Sequence, residues 1–272
     1  MRVRAIAVAL AMAAGLTACD ATGGAQSVAG KDKLVIGVSK DQPGLGSKTP
    51  DGTFQGFAID VAKYVAKRLG VAEKDITFKP VVSAGREQAL QTGKADLVVT
   101  SYSISAERKT KVAFAGPYYV AHQDVLVRRN DTAVRNVRDL AGRRLCQVTG
   151  SLSWQRVTEQ RKVPARLVPA GSYGECLSKL TSGVVDAIST DDLILAGFAA
   201  QQRQAVRFVN APFSDERYGI GIRLDDVGGC EAVNKALTEM YQDGTAGALL
   251  GKWFGSSGLN LTNTVPQFEG CS

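Results

Sequence analysis

The sequence predicts an α/β protein with two similar lobes, and the main evidence is a repeated pattern. Leu90–Val99 resembles Leu180–Ile188: each consists of a helix end, a glycine placed to cap it, an aspartate and a short buried strand. The copies lie 90 residues apart, which is longer than the period of a solenoid and favours two lobes. Strand-like and helix-like segments also alternate along the chain, as they do in open, largely parallel sheets. The alternative is a chance likeness between two helix-to-strand turns.

The first lobe begins with a strand and an amphipathic helix. Leu34–Val38 has the pattern of a strand, and the helix that follows ends before Gly70. One face of that helix carries apolar residues at helical spacing, namely Ile59, Ala62, Val65, Ala66 and Leu69. Ala84–Gln91 is the helix expected ahead of the first copy of the repeat.

The second lobe repeats this alternation, and the chain ends in two helices. The predicted segments are a strand at Arg144–Val148, helices near Trp154–Gln160, Tyr173–Leu180 and Asp191–Gln201, a strand at Val206–Val209, and helices at Glu231–Gln242 and Thr245–Phe254. Because parallel sheets bind ligands beyond the carboxyl ends of their strands, a ligand site is expected after the two repeated strands.

The amino terminus has the features of an export signal. Arg2 and Arg4 precede an apolar run at Ala5–Ala14, which is too short to span a bilayer, and small residues follow. Leu16–Cys19 resembles the bacterial lipoprotein box, which implies removal of residues 1–18 and lipidation of Cys19. The alternative is an ordinary signal peptide cut nearby. The small, polar residues 19–30 are predicted to form a flexible tether.

The composition is that of a globular protein, with 44% hydrophobic and 22% charged residues. The formal charge is +7, and Lys and Arg outnumber Asp and Glu by 13 to 7 between Arg128 and Phe213. This excess indicates either a solvated face near an anionic membrane or attraction of an anionic ligand. Nucleic acid is a poor candidate partner, because the basic residues are scattered and lack interleaved aromatic residues.

The four cysteines after Cys19 are expected to form disulfides, since an even number in an exported chain favours them. Four cysteines allow three pairings. We favour Cys146–Cys176 with Cys230–Cys271, because each bridge then stays inside one segment.

A candidate site for a carboxylate follows the first repeated strand. The run Thr100–Lys109 places hydroxyl groups and Arg108 at the end where ligands bind. A planar guanidinium beside hydroxyls suits a carboxylate, which it can hold through two hydrogen bonds. The alternative is a capped helix start with Arg108 as a surface charge, since Ser-Ala-Glu is ordinary capping chemistry.

Several motifs in order resemble the family 3 extracellular solute-binding proteins, the polar-amino-acid receptors of ABC importers. The main likeness lies in Ser103–Arg108 and in Val112–Tyr119, and it is extended by Gly56–Asp60 and by Asp186–Asp191. The resemblance runs from about Leu34 to Phe254. It implies a periplasmic-binding-protein-like type II fold, with two α/β lobes, two hinge strands and a central ligand cleft.

The resemblance also implies how the ligand's α-carboxylate is held. Arg108 matches the family arginine that grips this group, Ser103 matches the adjacent hydroxyl, and Ser101 matches a backbone contact. Ser151 matches a hydroxyl of the second lobe that closes on the same carboxylate.

The ligand's ammonium group is expected to meet an acid of the second lobe. Asp191 matches the family residue in this role, and Asp192 is a weaker candidate. Pairing both poles is physically required, because an unpaired buried charge costs several kcal/mol.

Selectivity is expected to come from residues near Ser83 and Arg86. Ser83–Arg86 resembles the glutamate and aspartate receptors, in which a serine and an arginine meet the ligand's side-chain carboxylate. The chain lacks the aromatic residue that the family usually has near Ser83, which argues against an apolar ligand. Lys40, after the first strand, is a candidate second cation, with a surface lysine as the favoured alternative, and Lys40–Gly46 is similar to glutamate-binding lipoproteins. Glutamate is therefore the expected ligand, followed by aspartate or glutamine.

The predicted domains are a lobe 1 made of residues 31–126 and 215–272 and a lobe 2 made of residues 127–214. Hinge strands are expected near Val125–Arg129 and Asn210–Arg217, with closure around the ligand. In this arrangement one disulfide lies in each lobe.

The predicted function is that of a monomeric, exported receptor, lipid-anchored to the outer face of the cell membrane and docking on an ABC permease. No metal or cofactor is expected: His122 is the only histidine, and we expect it to be structural. One alternative is an amino-acid sensor subunit for a membrane kinase. Another is a dehydratase, since some dehydratases share this fold, although a cleft histidine is missing.

Overall fold

The computed structural model describes residues 26–262 and 264–271, which contain a nine-stranded sheet and a separate three-stranded one. The strands are β1 Leu34–Val38, β2 Asp41–Gln42, β3 Gly46–Lys48, β4 Phe54–Gln55, β5 Ile76–Pro80, β6 Leu97–Ser103, β7 Ala113–Arg128, β8 Arg144–Val148, β9 Arg166–Ala170, β10 Ala187–Asp191, β11 Val206–Phe208 and β12 Ser214–Ile222. The helices are α1 Phe57–Arg68, α2 Arg86–Gln91, α3 Ala106–Lys109, α4 Ser153–Gln155, α5 Tyr173–Thr181, α6 Asp192–Gln201, α7 Val227–Gln242 and α8 Thr245–Phe254.

The large sheet joins two α/β lobes, which confirms the predicted fold class. Its strand order is β5-β1-β6-β12-β7-β10-β8-β9, with β11 also paired to β7. We use lobe 1 for β1–β6, α1–α3, β12, α7 and α8, and lobe 2 for β8–β11 and α4–α6. Pairs at both ends of the sheet are parallel, but every pair that involves β7 or β12 is antiparallel. The sheets, expected to be open and largely parallel, form one mixed sheet.

The repeated pattern forms the same structure in each lobe. Gly93 and Gly183 end their helices with positive φ values of 66° and 78°. Asp96 accepts a hydrogen bond from the backbone N–H of Val35 at 2.7 Å, and Asp186 accepts one from Arg144 at 3.0 Å. Each aspartate thus joins the start of the repeated strand to the neighbouring strand, as expected for a turn residue.

Strand β7 is the structural link between the lobes. It pairs with β12 from Ala113 to Gln123, and with β10 from Gln123 to Val127. This change of partner begins two residues before the segment expected to be the first hinge. The chain returns to lobe 1 through residues 209–213, between β11 and β12.

The described amino-terminal residues are packed against lobe 1. Val28–Gly30 form a 3-10 helix, and the backbone N–H of Val28 donates to Asp226 at 2.8 Å. Val28 is only 4% exposed, so the end of the expected tether 19–30 is held by burial and a hydrogen bond. The predicted signal peptide 1–18 and Cys19 lie outside the described residues.

Both predicted disulfides are present. Cys146–Cys176 joins β8 to α5, and Cys230–Cys271 ties the carboxyl-terminal segment to α7. The favoured pairing is confirmed.

Four predicted helices begin at a different residue or are split in the structure, and one of them is α7, which begins at Val227 rather than Glu231. Asp191 ends β10 rather than starting α6, and the predicted helix Ala84–Gln91 begins as a 3-10 turn at Ser83–Gly85. The helix expected near Trp154–Gln160 is split into α4 and the π-helical turn Arg156–Gln160. Within the described ranges, we find no helix with both the length and the apolar character needed to span a bilayer.

Candidate functional site

A small cavity lies between the lobes and collects seven of the eight predicted ligand-binding residues. Its lining consists of Ser83, Arg86, Ser101, Ser103, Arg108, Ser151, Leu152, Ser153, Tyr173 and Asp191. The empty volume is about 220 Å³, of which only about 10 Å³ admits the centre of a water molecule. The walls are therefore nearly in contact, and there is room for about one water.

The lobes are in a closed arrangement, because hydrogen bonds cross between them near the cavity. Asp41 of lobe 1 accepts from the backbone N–H of Gly174 in α5 at 2.8 Å. Arg156 of lobe 2 donates to Glu216 of β12 at 2.7 Å. A side chain at Gly150, whose φ is +80°, would overlap the backbone of Ala84.

Arg108 is buried and touches both lobes. The helix α3 that carries it is capped by Ser105, whose hydroxyl accepts from the Arg108 N–H. The guanidinium donates to the carbonyl of Ser103 at 2.6 Å and to the carbonyl of Gly150 at 2.8 Å. Its Nε lies 3.6 Å from Glu87. At 5% exposure, Arg108 is part of the cleft wall and not a surface charge.

Arg86 is a buried cation that forms no ion pair with a described carboxylate. It is 2% exposed and donates to the carbonyl of Ser101 at 3.1 Å, while its Nε has no hydrogen-bond partner. Among the described residues, no carboxylate lies within 4.0 Å of its guanidinium. Burial, followed by the repulsion of Arg108, lowers the pKa of Arg86. An anion that entered the cavity and paired with this guanidinium would stabilise its buried charge.

Asp191 supplies the opposite charge from lobe 2. It is 4% exposed, and one carboxylate oxygen accepts from the hydroxyl of Tyr218 at 2.7 Å. The other oxygen, Oδ1, is buried without a partner. Burial, and then the nearby Glu216, raise the pKa of Asp191 above the ordinary value for aspartate. A cation beside Oδ1 would reverse this shift.

The four predicted serines lie on the cavity wall with different partners. The hydroxyl of Ser101 is hydrogen-bonded to the amide group of Gln42 at 3.1 Å. Ser103 uses its carbonyl to hold Arg108. Ser151 Oγ is buried without a partner, and Ser83 is 8% exposed on the same wall.

Lys40 does not line this cavity. It lies on the wall of an adjoining cavity with an empty volume of about 530 Å³, which shares Ser83, Arg86 and Tyr173 with the first. The side chain is exposed at the mouth, so Lys40 is near Ser83 and Arg86 but outside the smaller cavity.

The weaker candidate Asp192 lies in a different place. Together with Asp124 and His122 it lines a cavity near the lobe crossover. Burial raises the pKa of Asp192 to about 6. His122 pairs with Asp215 through Nδ1 at 2.9 Å, outside the interlobe cavity. Of the two acids, only Asp191 is on the cavity wall.

Sequence reasoning missed four polar residues around the cavity. Ser153 is hydrogen-bonded to the Tyr173 hydroxyl at 2.8 Å, while Gln42 and Tyr218 hold Ser101 and Asp191. Ser153 lies two residues after the predicted Ser151, and Tyr173 starts a predicted helix at the ligand-binding end. The sequence positions of Ser153 and Tyr173 could therefore have indicated that they lie at the ligand site. Gln42 lies in the run Lys40–Gly46 that the resemblance had marked, whereas Tyr218 carried no signal, because its contact with Asp191 joins distant parts of the chain.

The described residues contain no group of three or more His, Cys, Asp or Glu side chains that could hold a metal ion. The cavity instead combines two guanidiniums, one carboxylate and several hydroxyls. This set matches the charges and hydrogen-bonding groups of a small zwitterion with an additional acidic group.

Comparison with known proteins shows that the chain is similar to amino-acid-binding proteins. Residues 34–256 match the family described as bacterial extracellular solute-binding proteins, family 3. The glutamate-binding protein GluB of Corynebacterium glutamicum is 38% identical over 280 residues, covering 97% of this chain and 94% of GluB. The ABC transporter glutamine-binding protein GlnH of Bacillus subtilis is 36% identical, with 82% of this chain and 81% of GlnH covered.

A solved structure with the same fold is that of an ancestral arginine-binding protein bound to glutamine. It has a TM-score of 0.77 and 35% identity to this chain, and the match covers 83% of this chain and 99% of the other.

Proposed function

Because this chain belongs to the family 3 bacterial extracellular solute-binding proteins, we propose that it binds glutamate in the interlobe cavity and delivers it to an ABC importer. The cavity forms when the lobes close about the strands that join them. Aspartate and glutamine follow glutamate in expected affinity.

The observation that carries this proposal is a set of three unpartnered polar atoms. Arg86 Nε, Ser151 Oγ and Asp191 Oδ1 are buried, line one cavity and have no hydrogen-bond partner. Buried polar atoms without partners are rare, since each costs about 1–3 kcal/mol. A donor, a hydroxyl and an acceptor together suit a ligand that carries both an anion and a cation.

Arg108 is the proposed partner of the ligand's α-carboxylate. Its guanidinium already crosses the cleft to Gly150, so a carboxylate beside it would lie between the lobes. Ser103, Ser101 and Ser151 surround this position and would add hydrogen bonds. Binding at such a point stabilises the closed arrangement, because both lobes contact one ligand.

Asp191 is the proposed partner of the α-ammonium group. Its free Oδ1 lies on the lobe 2 wall, while Tyr218 of lobe 1 holds the other oxygen in place. An ammonium here would offset the desolvation that raises the pKa of this carboxyl.

Arg86 is the reason for placing glutamate first. Its buried charge has no ion-pair partner within 4.0 Å among the described side chains, and a side-chain carboxylate of the ligand would supply one. Ser83 beside it would donate a further hydrogen bond, and Lys40 would add positive charge at the mouth. The curated relative GluB is named as a glutamate-binding protein, which supports the same ligand class.

The proposed location is the outer face of the cell membrane, with Cys19 lipidated after removal of residues 1–18. Two disulfides fit an oxidising compartment outside the cytoplasm. The partner there would be the permease of an ABC transporter, as the name of the relative GlnH suggests. The protein would act as a monomer.

Isothermal titration of the purified mature protein tests the ligand. Glutamate should bind one to one and more tightly than glutamine or arginine, and it should be recovered unchanged. No binding of any amino acid, or a preference for arginine, would overturn the proposal.

Metabolic labelling with palmitate tests the anchor. The full-length protein should be labelled and remain with membranes, whereas Cys19→Ala should be unlabelled and released. Equal labelling of both would contradict lipidation at Cys19.

A further inference from the structure

Tyr102 touches both cleft arginines without lining the cleft. The centre of its ring lies 5.1 Å from the Arg86 guanidinium carbon and 5.0 Å from that of Arg108. Tyr102 lies in β6 between Ser101 and Ser103, which both line the cavity, whereas Tyr102 does not. Because neighbouring strand residues point to opposite faces, the ring lies behind the wall that the serines form.

The ring is firmly held in that place. Tyr102 is fully buried, and it packs edge-on against Phe114 with ring centres 4.7 Å apart. A buried ring in a fixed orientation can restrict the positions of the guanidiniums that lie over it.

Two buried guanidiniums near one another repel each other, so something must offset that repulsion. Arg108 has Glu87 within 3.6 Å, but Arg86 has no carboxylate within 4.0 Å in the described part of the chain. The negative face of an aromatic ring attracts a cation, most strongly where water is excluded. The shared ring thus offsets part of the repulsion between the two cations and restricts where each can lie.

We propose that Tyr102 is a positioning residue that keeps the guanidiniums of Arg86 and Arg108 in place for the two carboxylates of an acidic amino acid. This inference rests on the proposed glutamate binding. It adds that the arrangement of the arginines depends on a side chain that does not touch the ligand.

The test compares Tyr102→Leu, which removes the ring, with Tyr102→Phe, which keeps it. Tyr102→Leu should weaken glutamate binding by about tenfold or more, given the strength of a desolvated cation–π contact. It should weaken glutamine less, since glutamine has a single carboxylate. Tyr102→Phe should stay within about threefold of the wild type, because the ring face is retained.

Phe114→Leu is the matched control for lost packing. It removes a ring from the same apolar cluster, which contains both aromatic residues, without removing the ring that faces the arginines. It should lower the melting temperature about as much as Tyr102→Leu does, yet leave the ratio of glutamate to glutamine affinity unchanged.

A spectroscopic readout does not depend on the Leu variant being folded. In wild type and Tyr102→Phe, the Nε–H signals of Arg86 and Arg108 should lie upfield of those of exposed arginines because of the ring current. Arg86→Lys and Arg108→Lys assign the two signals.

The outcomes separate the inference from the function. If the wild type binds no acidic amino acid, the proposed function fails. If the wild type binds glutamate but Tyr102→Leu binds it equally well, or Tyr102→Phe loses as much as Tyr102→Leu, the positioning role is wrong and the function stands. Unshifted arginine signals in the wild type would also overturn it.

Discussion

Strands β6 and β10 end the two copies of one repeat, yet the side chains that follow them carry opposite charges. Arg108 comes after β6, and Arg86 lines the same cavity. Strand β10, in contrast, ends in Asp191. Up to the strands, the copies share a glycine cap and an aspartate turn. The common scaffold brings both strand ends to one cleft, and the residues beyond it decide what each wall can bind.

The turn aspartates also differ between the copies. Asp96 pairs with Lys31 at 2.7 Å, while Asp186 receives Arg144 and Arg128 at 2.7 and 3.1 Å. Hydrogen bonds from Arg144, and then from Arg128, hold the pKa of Asp186 well below its usual range. Lobe 2 therefore depends more on its turn for stability.

The sharpest test of the difference between the cleft walls is Arg108→Ala. Removal of this guanidinium should weaken glutamate by at least about 5 kcal/mol, the upper end for truncating a buried charge partner. The melting temperature of the ligand-free protein should change little. Titration calorimetry measures the loss, and micromolar binding by the variant would refute the carboxylate role.

Arg86→Ala should have the next largest effect and should act on one ligand more than another. Glutamate should lose about 2–5 kcal/mol of binding free energy, because its side-chain carboxylate loses a buried partner. Glutamine should lose much less. Equal losses of binding free energy for glutamate and glutamine in parallel titrations would show that Arg86 does not contact the ligand's side-chain carboxylate.

For Asp191 on the lobe 2 wall, the prediction is that glutamate affinity depends on pH. The pKa of Asp191 is raised in the empty cleft, and an ammonium binds only the ionised form. Glutamate affinity should therefore be full above that raised pKa and fall by up to about tenfold per pH unit below it.

Titrations between roughly pH 5 and 9 check this sign, with proton release measured in buffers of different ionisation enthalpy. Asp191→Asn is the control, which should bind weakly and lose the pH dependence. Unchanged affinity across the range in the wild type would contradict the assignment.

The smallest expected effect compares the two turns. Asp186→Ala should lower the free energy of unfolding by about 2–3 kcal/mol and Asp96→Ala by about 1 kcal/mol, because the first leaves more hydrogen-bond donors unpaired. Urea denaturation measures both. In acid, the contribution of Asp186 should persist down to its ordinary pKa near 3.8 and decline only below it. A larger loss for Asp96→Ala would reverse the comparison.

The sequence allowed the fold class to be predicted because glycine caps and aspartate turns at fixed spacing marked the repeat. Arg108 was a candidate from its run of hydroxyl-bearing neighbours after β6, whereas the other cleft residues, Asp191 included, were expected from the family resemblance. Lys40 lies at the mouth, in the adjoining cavity, because position after a strand does not determine which cavity a long side chain reaches.

What could not be predicted depends on pairing between distant segments. The single mixed sheet follows from the register of β7 against strands on both sides, which no local pattern reveals. Tyr218 looks like an ordinary core residue in its strand, since nothing nearby in the sequence shows Asp191. Tyr102 lies in the same run as Arg108, but no local pattern shows that its ring also meets Arg86.

The passage of β7 through both lobes has a mechanical consequence. A strand of 16 residues that is hydrogen-bonded in each lobe cannot slide, so we expect any opening of the lobes to take place as torsion of the backbone around Gln123. The change in backbone torsion angles would then be concentrated where β7 passes from pairing with β12 to pairing with β10. Deuterium uptake should therefore rise on ligand release at residues 120–124, while the flanking stretches of β7 stay protected.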